Sequence, residues 1–196
     1  QILIDDQSEN QIISTSPNFS PAKANLVLAF GERELLECSL PYKKLRELYS
    51  EAQIVICSTS GQISNFNLVE NKIVSTAIEF EKSTIKIVEI DLLKNKNINE
   101  LGLVVKNELF NKNLKSLVVI SEGSYVNGTE LVSELGKQTN YSLPIFGGLA
   151  GDRVAFLKTI VGLNKDAEEG KVVVVDYNSI EFDTLDNGKI VPRDLP

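Results

Sequence analysis

Apolar and polar positions alternate along the chain with the periods of a mixed α/β protein. Short apolar runs bounded by glycine or polar residues predict buried strands at Leu26–Phe30, Gln53–Cys57, Lys115–Ile120 and Pro144–Phe146. Apolar residues at helical spacing predict helices over Pro41–Tyr49 and Asn99–Phe110, and a third that begins after an N-cap at Asn127. Two further pairs of extended segments predict hairpins: Val69–Glu79 with Thr84–Asp91, and Lys158–Leu163 with Lys171–Tyr177.

These elements occur twice in the same order. Residues 25–92 and 115–178 each follow a strand–helix–strand–strand–strand pattern, and Gly31 and Gly123 lie 92 residues apart. We therefore expect an α/β fold with mixed parallel and antiparallel sheets, built from an internally duplicated β-α-β-β-β unit. Two such units allow the sheets to stack face to face with helices outside, in four layers. The alternative to duplication is coincidence, because any α/β chain has a similar succession of strands and helices.

Composition and charge narrow the function. The chain has 196 residues and a formal net charge of −7, which gives no footprint for nucleic acid or an anionic membrane surface. It has no His, which removes Ser-His-Asp catalysis and His-ligated metals, so we expect no metal and no catalytic residues of that kind. Cys38 and Cys57 suit a reducing compartment, and no segment is apolar enough to cross a membrane; we expect a cytoplasmic protein.

Small polar loops follow four of the predicted buried strands, at Gly31–Arg33, Ser58–Gly61, Ser121–Gly128 and Gly147–Asp152. Ligands bind outside the carboxyl ends of parallel strands, so we expect these loops to form one site. The candidate ligand-binding residues are Ser58, Thr59, Asn127, Gly128, Gly148 and Asp152. Asp152 is placed to receive a ligand ammonium and the helix after Asn127 a carboxylate, which favours an amino acid or a small carboxylate.

Each candidate has a purely structural interpretation. Asn127 is an ordinary N-cap, Asp152 caps its own turn, and Arg33, which could clamp a carboxylate, is a solvated surface residue. Two other functions remain open. One is a hydrolase or transferase that uses Cys57, Ser58 or Ser60 with a base other than His. The other is an interaction scaffold.

Three ordered motifs resemble the FIST N-terminal domain family. Ile54–Ile63 is similar to its "GCSTaGEI" block, and Val118–Gly123 with Asn127–Leu131 is similar to its "SDG…NGxEL" block. Phe146–Asp152, with Phe156 and Thr159, resembles its "GGLAGDG…F…T" block, and the resemblance spans about residues 25–178. Ile56, Gln62, Glu122 and Arg153 depart from the family pattern.

The resemblance implies a ligand-sensing module of intracellular signal-transduction proteins, with amino acids among the ligands. It also implies a FIST C-terminal domain as partner. Residues 1–24 are then a poorly ordered lead-in with one early strand at Ile2–Ile4, residues 25–180 the sensing domain, and residues 181–196 the start of a linker. Some similar proteins bind haem; because the chain has no His, we expect no cofactor.

Overall fold

The computed structural model describes residues 2–4, 11–12, 15, 17–64, 67–94, 97–111, 113–153, 157–178, 182–184 and 190–192. The helices are α1 (Arg33–Leu36), α2 (Leu40–Leu48), α3 (Ile98–Leu109) and α4 (Gly128–Gln138). The strands are β1 (Ile2–Ile4), β2 (Gln11–Ile12), β3 (Leu26–Gly31), β4 (Gln53–Ser58), β5 (Gln62–Ser64), β6 (Asn67–Val69), β7 (Ile73–Ile78), β8 (Thr84–Asp91), β9 (Leu114–Ser121), β10 (Ile145–Leu149), β11 (Val161–Leu163), β12 (Lys171–Asn178), β13 (Phe182–Thr184) and β14 (Ile190–Pro192).

Two sheets carry the fold. The first sheet has the order β11-β4-β3-β7-β1-β2, and the second has the order β10-β9-β12-β8. Strands β3 and β4 are parallel, as are β9 and β10, while the other pairings in both sheets are antiparallel. Each parallel pair flanks a helical crossover, as such a pair requires. The predicted mixed α/β class is confirmed.

Three hydrophobic cores separate four layers. The first lies between α1, α2 and the first sheet, the second between α3, α4 and the second sheet, and the third between the two sheets. Strand β12 shows why its apolar run is unbroken: Val172 and Val174 face the helices, whereas Val173 and Val175 face the first sheet. Because β12 is buried on both faces, the run Val172–Val175 is continuously apolar. The predicted four-layer arrangement is confirmed.

Both predicted hairpins are wrong. Strand β7 pairs with β3 and β1 in the first sheet, whereas β8, which follows it along the chain, pairs with β12 in the second. Similarly, β11 pairs with β4 while β12 pairs with β9 and β8. Stacked sheets lie only about 10 Å apart, so a short connection reaches the facing sheet as easily as it closes a hairpin. At the amino end of β12, Lys171 donates to Asp91 of β8 at 2.8 Å.

Each half of the chain gives three strands to one sheet and one strand to the other. In residues 25–92 the last strand crosses to the other sheet, and in residues 115–178 the third strand, β11, does so. The two halves therefore give equal numbers of strands to the two large sheets but differ in which strand crosses, and residues 25–92 also contain the separate pair β5 and β6. An origin by duplication stays a prediction.

The predicted ends of the chain are described only in part. The early strand at Ile2–Ile4 is confirmed as β1, and β13 and β14 form a two-stranded sheet within the predicted linker. Much of 1–24 and 181–196 lies outside the described residues, so the predicted lead-in and linker stay predictions. None of the described helices is long and apolar enough to cross a membrane. Cys38 is exposed and Cys57 buried, and both are free thiols.

Candidate ligand-binding site

The chain that leaves β10 bridges the two sheets at their strand ends. Ala150 N donates to Ser121 O at the end of β9, at 2.7 Å, and Gly151 N donates to Ser58 O at the end of β4, at 2.9 Å. Two consecutive backbone amides thus tie together one parallel strand from each sheet. We call this bridge, together with the loops after β3, β4 and β9, the strand-end site. The predicted convergence of these loops rests on the bridge.

Close approach of backbone to backbone explains one glycine at the bridge. A Cβ on Gly151 would lie 2.5 Å from Ser60 Oγ and 2.8 Å from Ser60 N. No side chain fits there without moving the loop after β4. The glycine-rich sequence of this segment is therefore needed for the contact between the two sheets.

Asp152 holds the next turn of the bridge. Its carboxylate Oδ1 accepts from Arg33 Nε at 2.8 Å, and Oδ2 accepts from Leu157 N at 2.8 Å and from Lys158 N at 3.2 Å. The Asp152 side chain is 3% exposed and that of Arg33 11% exposed. Burial raises the pKa of Asp152, but the hydrogen bonds from Arg33 and the two amides outweigh it, so the pKa lies below its ordinary value.

The Arg33 guanidinium is hydrogen-bonded to three carboxylates of the chain. Besides Asp152, it donates to Glu34 at 2.7 Å and to Glu37 at 3.0 Å. The hydrogen bond to Asp152 contributes most to raising the pKa of Arg33, which keeps the group charged. A ligand carboxylate at Arg33, as suggested from the sequence, therefore has to compete with three carboxylates of the chain itself.

A second ion pair joins the same loops. Glu32 Oε2 accepts from Arg153 Nη1 at 3.2 Å, while Glu32 Oε1 accepts from Asn71 N at 2.7 Å. The loop after β3 is thus tied to the loop after β10 twice, through Arg33–Asp152 and through Glu32–Arg153. These pairings across loops were missed at the sequence level; the only signal was opposite charge beside two strand ends.

Glu122 organises the loop after β9. Its carboxylate is fully buried and accepts from Ser124 N and Tyr125 N, both at 2.8 Å. Thr159 Oγ1 donates to the same carboxylate at 3.4 Å and accepts from Gly123 N at 2.7 Å. Glu122 and Thr159 therefore fix the backbone that leads from β9 toward α4.

The six candidate residues fall into two neighbouring groups. Ser58, Thr59 and Asp152 lie at the strand-end site: Ser58 is buried and its Oγ accepts from Ile160 N at 3.0 Å, while Thr59 is partly exposed. The Thr59 hydroxyl is hydrogen-bonded to the Gln62 side-chain amide at 2.8 Å.

The other group lies beside α4. Gly128 and Gly148 line a shallow cavity of about 140 Å³ between α4 and β10, and Asn127 directly precedes Gly128. The predicted N-cap is confirmed, because Asn127 Oδ1 accepts from the backbone N–H groups of Thr129 and Glu130. Those two donors at the start of α4 are therefore already occupied.

Two of the three groups named for the enzyme alternative, Cys57 and Ser58, are buried, whereas Ser60 is exposed. Burial raises the pKa of the Cys57 thiol to about 12, so it stays protonated at neutral pH and is a poor nucleophile. The Ser58 hydroxyl is buried at the end of β4. Among the described residues, no group of three or more carboxylate or thiol side chains is arranged to hold a metal ion.

Fold and site together define a four-layer α/β domain whose polar loops join two stacked sheets at their strand ends. The chain matches the family model of the FIST N domain over residues 25–193, most of its length, and it belongs to that family. The resemblance inferred from the sequence motifs is confirmed. FIST domains are sensory domains of signal transduction. No curated protein matches the chain at a significant level.

Proposed function

We propose that the chain is the ligand-binding sensory domain of a cytoplasmic signal-transduction protein, with an amino acid or a small carboxylate as its ligand. Family membership supports the sensory role. The observation that carries the proposal is the bridge after β10, which bonds to Ser121 in one sheet and to Ser58 in the other. A ligand that contacts the bridge acts on both sheets at once, which is what a sensor needs to convert binding into a change of shape.

The ligand contacts belong to the exposed side of the strand-end site. Thr59 is partly exposed, Ser60 is exposed, and the Gly151 backbone lies against Ser60. Hydroxyl groups both donate and accept, so they suit the carboxylate and the ammonium of a small zwitterion. Both Asp152 oxygens already accept hydrogen bonds within the chain. We therefore give Asp152 the task of positioning the bridge.

Asn127, Gly128 and Gly148 extend the proposed site toward α4. Leu149 connects the two groups, because a Cβ on Gly128 would lie 3.3 Å from Leu149 Cδ1, and Ala150 of the bridge follows Leu149 directly. A ligand that contacts Thr59 alone makes no contact with Asn127, Gly128 or Gly148. The partner in signalling is a FIST C-terminal domain, as the resemblance implies.

A thermal-shift screen of the amino acids and of small mono- and dicarboxylates tests the ligand class. A ligand that binds only the folded chain stabilises it by about 2.7 kcal/mol at 100 times its dissociation constant, which raises the melting temperature by several degrees. At least one member of the set should give this shift. A set in which no compound raises the melting temperature contradicts the proposed ligand class.

A matched pair of variants then locates the site. Thr59→Val removes one hydroxyl at the strand-end site, and Thr84→Val removes one from an exposed residue on β8, at the far edge of the second sheet. Calorimetric titration with the ligand found should show several-fold weaker binding for Thr59→Val and wild-type binding for Thr84→Val. Equal affinities for both variants would place the site elsewhere.

A further inference from the structure

We infer that the free edge of β10, with the adjoining face of α4, is the interface of a symmetric dimer. In this dimer β10 pairs antiparallel with β10 of a second copy, so that the second sheet continues from one chain into the other. The inference does not depend on the ligand proposed above. It concerns the side edge of β10, whereas Thr59, Ser60 and the bridge lie beyond its carboxyl end. Gly128 and Gly148, which extend the ligand site toward α4, also border this interface.

Strand β10 is the edge of the second sheet, where it pairs with β9 among the described strands. Pro144 O accepts from Leu117 N, and Ala150 N donates to Ser121 O, so the even-numbered residues direct their backbone groups toward β9. The odd-numbered residues Ile145, Gly147 and Leu149 therefore direct theirs outward. Outward N–H and C=O groups on an edge form a template for another strand.

This edge lacks the usual protection against pairing. Proteins keep exposed edges apart with charged side chains or proline, yet residues 145–151 contain neither. Phe146 and Leu149 are each 50% exposed. In a chain in which 24% of residues are charged, an uncharged and apolar edge is typical of a surface that is covered by a partner.

The neighbouring face of α4 has the same character. Val132 is also 50% exposed, and the partly exposed Gly128 lies one helical turn before it, on the same stripe. The charged side chains of α4 lie on its other side, where Glu130, Glu134 and Lys137 line a groove toward α3. The uncharged stripe therefore extends the apolar edge of β10 on the helix layer.

A two-fold axis at Gly147 gives the register. Ile145 then lies opposite Leu149 of the second copy, so that residues with outward backbone groups face each other. Phe146 lies opposite Gly148 of the second copy, and a Cβ at Gly148 would have nothing within 4 Å. Each exposed aromatic ring thus covers an open glycine position, and this occurs twice because of the symmetry.

The absence of charge on β10 permits a second copy here, and the self-complementary register makes that copy the occupant. The chain carries a net charge of −7, so two copies repel each other over most of their surface. Pairing at β10 brings no carboxylate of the strand against its own counterpart. A partner recognised by opposite charge would need a charged strand here, and β10 has none.

Sedimentation velocity on the whole chain tests the dimer. Between about 5 and 500 µM, the range in which interfaces of modest size assemble, the average mass should rise from 21.6 kDa toward twice that value. Phe146→Lys and Val132→Lys should each weaken association about tenfold or more, because each places like charges near the two-fold axis. A mass of one chain over the whole range overturns the inference.

Ile63→Lys is the matched control. Ile63 is 70% exposed on β5, which pairs with β6 in a separate two-stranded sheet, and the substitution changes the net charge by the same amount. It should leave association unchanged. If Phe146→Lys lowers the melting temperature or the far-UV circular dichroism signal, Val132→Lys carries the test, since Val132 lies outside the sheet.

Hydrogen exchange identifies the surface. In the wild-type chain, the Ile145 and Leu149 amides should exchange more slowly as the concentration rises, and in Val132→Lys they should not. Dimerisation with concentration-dependent protection elsewhere, and none in β10, overturns the inference, as do charged variants that dimerise like the wild type.

Discussion

Asp152→Asn tests whether the ion pair at the bridge stabilises the fold. The variant keeps the size of the side chain but replaces one carboxylate oxygen with an NH₂ group. In one orientation that group meets Arg33 Nε, and in the other it meets the N–H groups of Leu157 and Lys158. Either way one face of the side chain sets donor against donor, in a site where Asp152 is only 3% exposed.

The magnitude follows from the bonds that are lost. A hydrogen bond to a charged group contributes about 1.5–3 kcal/mol, and removing one partner of a buried ion pair costs about 3–5 kcal/mol. Arg33 keeps Glu34 and Glu37, so its charge is not left unpaired. We therefore expect the free energy of unfolding to fall by about 2–4 kcal/mol at pH 7.

Urea denaturation followed by circular dichroism measures this change. Glu37→Gln is the control: it removes a second carboxylate partner of Arg33, but Glu37 is 35% exposed, so the cost should be about 1 kcal/mol or less. A loss of less than about 0.5 kcal/mol in the free energy of unfolding for Asp152→Asn would refute the structural role of the ion pair and favour Asp152 as a ligand contact.

The pH dependence provides a second check on Asp152. Its folded-state pKa lies below the ordinary value of 3.8, so the pair stabilises the fold fully above the unfolded-state pKa. That contribution is lost as the pH falls through the folded-state value. The difference between wild type and Asp152→Asn should therefore be constant near neutral pH and shrink in acid.

Four other variants or treatments test the fold itself. Gly147→Ala should lower the free energy of unfolding by about 3 kcal/mol or more, because φ is 137° and a Cβ would lie 1.8 Å from a backbone oxygen of β9. Gly148→Ala, with open space around its Cβ, should stay within about 1 kcal/mol in the same urea titration. Alkylation of the folded chain should modify Cys38 and spare the buried Cys57; equal labelling by mass spectrometry would contradict this. The hydrogen bond from Lys171 lowers the pKa of Asp91 from 3.8 to about 2. Asp91→Asn should therefore cost about 1–2 kcal/mol at pH 7 and less as the pH falls toward 2, whereas a cost independent of pH would refute the pairing.

Local pattern was sufficient to place most elements of this protein. The apolar runs became β3, β4, β9 and β10, and the helical spacing became α2, α3 and α4. Asn127 was recognised as an N-cap because capping is decided within four residues. Within each sheet, the proximity of the two loops after a parallel pair was also predictable, because parallel strands joined by right-handed crossovers end at a common edge.

Tertiary structure alone decided which strands pair and which charges meet. Apolar residues show that β7 and β8 are buried, but a strand can be buried in either sheet. The five residues between these strands are long enough to close a hairpin or to cross to the facing sheet. Arg33 and Asp152 are 119 residues apart, and their pairing depends on how the two sheets stack. Hydrophobic periodicity is a property of neighbouring residues, whereas sheet partners and buried ion pairs depend on the packing of the whole chain.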